Sequence, residues 1–172
     1  MPHITFIRHA EKKYNNNKGP PGCYQHDPDI FSFSSDMSKK LYKNNQFDIV
    51  ICSPFLRTRQ TVKQILFDLE MDIPVIINNE ISEYLGFQKP IGKDASLHPE
   101  TKKLISAKLG IENFLQLRNR LIKFYNDLKQ YGDKNILVVT HGINICFLHE
   151  IIFDREIASR PGILEGFDYY FD

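Results

Sequence analysis

Three groups of chemically active residues stand at the ends of apolar runs, far apart along the chain. Arg8-His9 follows Ile4-Thr5-Phe6-Ile7, Ser53 through Arg57 follows Phe47-Asp48-Ile49-Val50-Ile51-Cys52, and Thr140-His141 closes the run from Asn135. Apolar runs of this length, rich in β-branched residues, read as buried strands. If the strands are parallel, their carboxyl ends share one edge, and ligands of open α/β sheets bind in the crevice beyond it. Two arginines and two histidines gathered there select an anion. Guanidinium forks match phosphoryl oxygens with paired hydrogen bonds, and helix N-termini after the strands add backbone donors. A neutral imidazole can attack phosphorus, and nearby arginines favour that neutral form.

The elements that must position these residues can be read in order. Lys12 to Pro28, with Gly19-Pro20-Pro21-Gly22, reads as a surface loop at a strand end, where function often resides. A short helix is expected near Ser38 to Asn45, with Ser35, Asp36 or Ser38 as its cap. Ser53 then reads as an N-cap and Pro54 as the first residue of a helix carrying Leu56, Val62, Ile65, Leu66 and Leu69 on one face. Ile73 to Ile77 is a third strand. Asn78 to Gly110 lacks clear periodicity and reads as a small cap excursion, with a helix near Pro99 to Leu109. Ile111 to Gln130 repeats apolar residues at three- and four-residue steps, and Gly132 ends that helix. A helix over Ile143 to Phe153 and an edge strand over Phe167 to Phe171 complete the chain. Strands alternating with helices predict a three-layer α/β sandwich, its mostly parallel sheet flanked by helices, with residues 1–172 as one domain.

Composition narrows the classes of partner. A net charge of +1 provides no broad field for nucleic acid or an anionic membrane, so neither is expected as a partner. No apolar run approaches the roughly 20 residues of a membrane span. Met1-Pro2-His3 enters the first strand without a signal-peptide pattern, and Cys23, Cys52 and Cys146 form no disulfide framework or metal motif, which predicts a reduced, cytoplasmic protein. His3, His26, His98 and His149 lack metal-ligand spacing, so no metal or other cofactor is expected. Cys52 and Arg57 stand one residue too close for a cysteine-phosphatase loop, and no Gly-Lys-Ser or Gly-Lys-Thr loop marks a nucleotide-hydrolysing P-loop.

Arg8-His9-Ala10-Glu11, Ser53-Pro54-Phe55-Leu56-Arg57-Thr58-Arg59-Gln60-Thr61 and Val139-Thr140-His141-Gly142 together resemble the histidine phosphatase superfamily, the phosphoglycerate-mutase-like enzymes. Order and spacing match from about residue 3 to about 155. The resemblance implies that His9 is the nucleophile that becomes phosphohistidine, while Arg8, Arg57 and His141 bind the phosphoryl group. Asn15 and Gly142 would contact substrate. The family places its proton donor as a glutamate shortly before a glycine, and Ile81-Ser82-Glu83-Tyr84-Leu85-Gly86 is similar to that pattern. Glu83 is the expected acid, although its spacing to Gly86 is one residue short and Glu80 stays an alternative. Ala10 and Leu41 stand where many members have glycine.

The implied reaction has two steps: His9 attacks phosphorus while Glu83 protonates the leaving oxygen, and water then releases phosphate with Glu83 as base. The substrate would be a phosphorylated small molecule or a phosphoprotein. A phosphatase is favoured over a mutase because residues 78–110 and the loop after His9 are short. A non-catalytic phosphate-binding module is the competing reading from another class. It would be expected to lack a nucleophile or acid, whereas His9 and at least one candidate acid are present.

Overall fold

The computed structural model describes residues 3–14, 27–42, 46–84, 97–105 and 112–170. Five strands, β1 (His3–Arg8), β2 (Ile49–Cys52), β3 (Val75–Ile77), β4 (Ile136–Thr140) and β5 (Gly166–Tyr170), form one sheet in the order β3-β2-β4-β1-β5. The pairs β2/β3, β2/β4 and β1/β4 are parallel, and only β5 runs antiparallel, against β1. The central strand β4 is buried at every position, as its continuous apolar run requires.

Alternation of side chains along the strands builds the two faces. Ile4, Phe6, Ile51, Ile136 and Val138 pack with Leu117, Leu121, Phe124 and Leu128 of α4 (Phe114–Leu128) and Leu148 of α5 (Gly142–Phe153). On the other face, Ile7, Val50, Cys52, Leu137 and Val139 pack with Tyr42 of α1 (Ser35–Tyr42) and Val62 and Ile65 of α2 (Leu56–Asp68). Helices therefore cover both faces, giving the three-layer α/β sandwich.

Several boundaries move for identifiable reasons. The first helix starts at Ser35 because Ser34 Oγ accepts from the Asp36 amide at 3.1 Å. Among the described residues of the amphipathic stretch, the helix starts at Phe114, where Asn113 and Gln116 close a reciprocal capping box. It runs through a 3-10 turn at Lys129–Tyr131 into Gly132, whose φ of 60° ends it. In the excursion, the described residues hold a 3-10 turn at Asn79–Ile81 and the short α3 (Pro99–Leu104).

Ser53 is not the N-cap it resembled, and Pro54 does not begin the helix. Phe55 occupies the N-cap position without a side-chain bond, and α2 starts at Leu56. The Leu56 amide is instead met by Asp27 Oδ1 at 2.7 Å, from a loop 29 residues upstream. Ser53 Oγ takes only the Phe55 amide there, at 3.5 Å, and turns to another partner as well.

Candidate active site

Strand register assembles the site. Arg8 pairs with Thr140 and Cys52 with Val139, so three neighbouring strands end at the same level. The residues that follow are His9, Ser53 and His141. Their backbones are tied at that edge: the His9 amide donates to Thr140 O at 3.0 Å and the Ser53 amide to Val139 O at 3.1 Å. The His9 and His141 rings lie 5.3 Å apart between centroids.

The two rings differ in what holds them. His9 Nδ1 is 2.6 Å from the carbonyl oxygen of Ala10, which can only accept, so Nδ1 carries the hydrogen and Nε2 presents its lone pair. Ser53 Oγ lies 2.8 Å from His141 Nε2, and the Nδ1 of that ring faces Glu83 Oε2 at 3.4 Å. The Ser53 hydroxyl can donate to Nε2 or accept from it; with the hydrogen on Nδ1, Ser53 donates and the Nδ1–H faces the Glu83 carboxylate. Burial, and then the Arg57 guanidinium, hold both imidazoles well below the usual histidine range, so both are neutral near pH 7.

The cations surround these rings. Arg57 is 1 % exposed, packs over the Phe55 ring at 4.6 Å, and meets Asp27 Oδ1 at 3.4 Å and the Glu83 carboxylate. Burial pushes it down to about 10 against the pull of Asp27, with Arg8 adding repulsion. Arg8 donates to Pro161 O at 2.9 Å, while its buried Nε has no hydrogen-bond partner among the described residues. Burial, then Arg57, Arg8 and Arg160, lowers Lys12, and Arg160 lowers Arg8 after burial does. Four cations thus feel one another at this edge, where among the described residues Asp27 and Glu83 are the carboxylates that meet Arg57. A phosphate monoester, with close to two negative charges near neutral pH, is complementary to that surplus.

The structure brings together Arg8, His9, Arg57, Glu83 and His141. Glu80 instead pairs with Lys123 on the outside of α4, so it does not share the pocket. Gly142 begins α5 beneath the Arg160 side chain, whose Cδ lies 2.7 Å from where a Cβ would sit. Asn15 falls outside the described residues. Arg59 is committed to α3 through Glu100 at 2.7 Å and Thr101 at 3.1 Å. Cys52 is buried and its thiol is pushed up to about 12 by that burial, which makes it a poor nucleophile.

Reasoning from sequence missed Lys12, Asp27, Ser53 in its contact with His141, and Arg160. Lys12 could have been noticed by its closeness to His9. Asp27 and Arg160 belong to irregular segments, where no periodicity marks which side chains turn inward. Among the described residues, no group of three or more His, Cys, Asp or Glu side chains could hold a metal ion, and none of their helices is long and apolar enough to cross a membrane.

The fold and the clustered groups define an α/β domain with a cationic pocket, containing two neutral histidines, at the carboxyl edge of its sheet. The chain belongs to the histidine phosphatase superfamily, branch 1, whose family model matches residues 4–163. No curated protein matches it. Among solved structures, it is similar to a phosphoglycerate mutase from Bacillus anthracis str. Sterne, at TM-score 0.70 and 16% identity over 97% of this chain and 86% of that one. It is similar also to a phosphoserine phosphatase from Entamoeba histolytica, solved with 3-phosphoglyceric acid, at TM-score 0.64 and 17% identity over 99% and 91% of the two chains. An alpha-ribazole phosphatase from Shigella flexneri matches at TM-score 0.56 and 21% identity over 86% and 78%.

Proposed function

We propose that this protein is a phosphomonoesterase that works through a phosphohistidine at His9. The observation that carries the reading is the His9 ring, neutral, with Nδ1 spent on Ala10 O and Nε2 left as a nucleophile beside three cations, Arg57, Arg8 and Lys12. Arg8, Arg57 and the Nδ1–H of His141 are the donors for the equatorial oxygens. Glu83, 29 % exposed and in reach of both Arg57 and His141, is the group that protonates the leaving oxygen and then activates water. His9 Nε2 forms a bond to phosphorus as the P–O bond to the leaving group breaks. Water reverses the exchange, giving inorganic phosphate and free His9.

Residues 78–110 act in this reading as a cap over the carboxyl edge. Its described part supports that role: Leu97 and Ile105 pack on Phe55, and the His98 amide approaches Asp27 Oδ2 at 3.4 Å. Asn15 and Gly142 are retained as substrate contacts, with phosphorylated metabolites or phosphoproteins as the substrate class and the cytoplasm as the location.

Hydrolysis of an aryl phosphate, with a chelator present, tests the assignment. Wild type should turn over and His9→Ala should not, while both bind inorganic phosphate. Rapid quenching of the wild type should trap an acid-labile, base-stable phosphoenzyme. Phosphate binding without wild-type turnover would favour a binding module, and substantial activity in His9→Ala would remove His9 as nucleophile. Removing either arginine should cost on the order of 3 kcal/mol in the transition state, a factor of about a hundred in rate.

A further inference from the structure

The groups that meet the phosphoryl oxygens are held by regular elements, since His9 and His141 follow strands and Arg57 lies on α2. Glu83 has no such support of its own, because it follows a 3-10 turn in an irregular segment. Its position must come from tertiary contacts: the carboxylate meets Arg57 and faces His141, and the backbone contacts converge on the two carbonyls just before it. Asn144, buried in the first turn of α5, places Nδ2 at 2.9 Å from Ile81 O, 2.8 Å from Ser82 O and 2.9 Å from Thr140 Oγ1. Thr140 Oγ1 donates to Ile81 O at 2.8 Å, and Arg120 donates to Ser82 O at 2.9 Å from α4.

An amide nitrogen has two hydrogens, and this set of acceptors engages both. The flipped amide would turn its oxygen onto two carbonyl oxygens, so the hydrogen-bond network assigns the orientation. The Ser82 carbonyl belongs to the same peptide unit as the Glu83 nitrogen. Fixing that peptide plane sets the direction in which the Glu83 side chain leaves the backbone.

We propose that Asn144 is a positioning residue for the proton donor: with Thr140, it anchors the Ile81 and Ser82 carbonyls and so aims Glu83 into the pocket. The helical turn that follows His141 thereby sets the acid as well as the phosphoryl-binding imidazole. This inference rests on the phosphatase reading and on Glu83 as its acid.

The test compares Asn144→Leu, Asn144→Ser and Thr140→Val with wild type and Glu83→Gln on two substrates. p-Nitrophenyl phosphate has a leaving group that departs without a proton, whereas glycerol 2-phosphate releases an alkoxide that needs one. Asn144→Leu is expected to lower kcat/KM for the alkyl ester at least tenfold more than for the aryl ester, mainly through kcat. Glu83→Gln should show the same signature, and Asn144→Ser, which keeps a donor, should recover part of the loss. Equal losses on both substrates, or no loss, in the folded variants would overturn the proposal. If Asn144→Leu does not melt cooperatively, Asn144→Ser and Thr140→Val carry the test, and absence of the alkyl-selective loss in both overturns it. Folded wild type inactive on both esters would defeat the phosphatase reading and this inference with it. A Glu83→Gln enzyme without the alkyl-selective loss would defeat the acid assignment, and again this inference, while leaving the phosphatase reading standing.

Discussion

Asp27 and Arg57 form an ion pair in which both side chains are buried, at 0 % and 1 % exposure, with 3.4 Å between Oδ1 and Nη1. Asp27→Asn removes the charge but keeps an oxygen that can still accept from the Leu56 amide, so the start of α2 retains its contact. Unit charges 4 Å apart at an effective dielectric near 20 attract by about 4 kcal/mol. Removing one member of a buried pair typically costs about 3–5 kcal/mol. Arg57 keeps Glu83 as a second partner, so a loss near 3 kcal/mol is expected, at the low end of that range. For a domain of this size that lowers Tm by roughly 6–12 °C. Arg57→Met strands Asp27 and should cost a similar amount. The double variant removes both charges and should fall short of the summed losses by at least about 2 kcal/mol. Urea unfolding of all four proteins in phosphate-free buffer measures the cycle, since bound phosphate would add its own stabilisation. A coupling below about 0.5 kcal/mol, the usual error of additivity, would refute the pair as a structural element.

Stability should fall below pH 6.5 in a way set by the two buried imidazoles. His9 and His141 are held well below the usual histidine range in the fold, whereas the unfolded chain protonates them near the ordinary value. The unfolded state then binds more protons as pH drops, so their contribution is intact above about pH 7 and is lost as pH falls through the window beneath 6.5. The slope reaches at most about 1.4 kcal/mol per histidine per pH unit. Replacing His141 with Asn should remove close to half of that slope in urea titrations between pH 5 and 7, and an unchanged slope would contradict the assignment. Gly166→Ala should be severe, since a Cβ there would lie 1.7 Å from the Phe6 carbonyl oxygen and β5 would have to leave β1. A loss at or above the usual overpacking range of about 1–3 kcal/mol, with faster amide exchange in β5, is expected. Gly142→Ala should cost far less because the flexible Arg160 side chain can move aside.

The sequence by itself determined the strands, the helices behind them and which polar residues stand at their ends. Arg8, His9, Arg57 and His141 were legible because each stands in or just after a strong local pattern, and parallel strands necessarily bring their carboxyl ends to one edge. Glu83 was legible only through family resemblance, since an isolated glutamate in an irregular segment carries no periodicity. The tertiary structure alone decided against Ser53 as a helix cap: Asp27 reaches the Leu56 amide across 29 residues, and Ser53 turns to His141. It also decided that Lys12 and Arg160 share the field of Arg8, and that Asn144 ties the segment carrying Glu83 to the helix after His141. Periodicity and capping are set by residues a few positions apart. Which polar side chain meets which buried partner across 29 or 62 residues depends on how the loops close over the sheet.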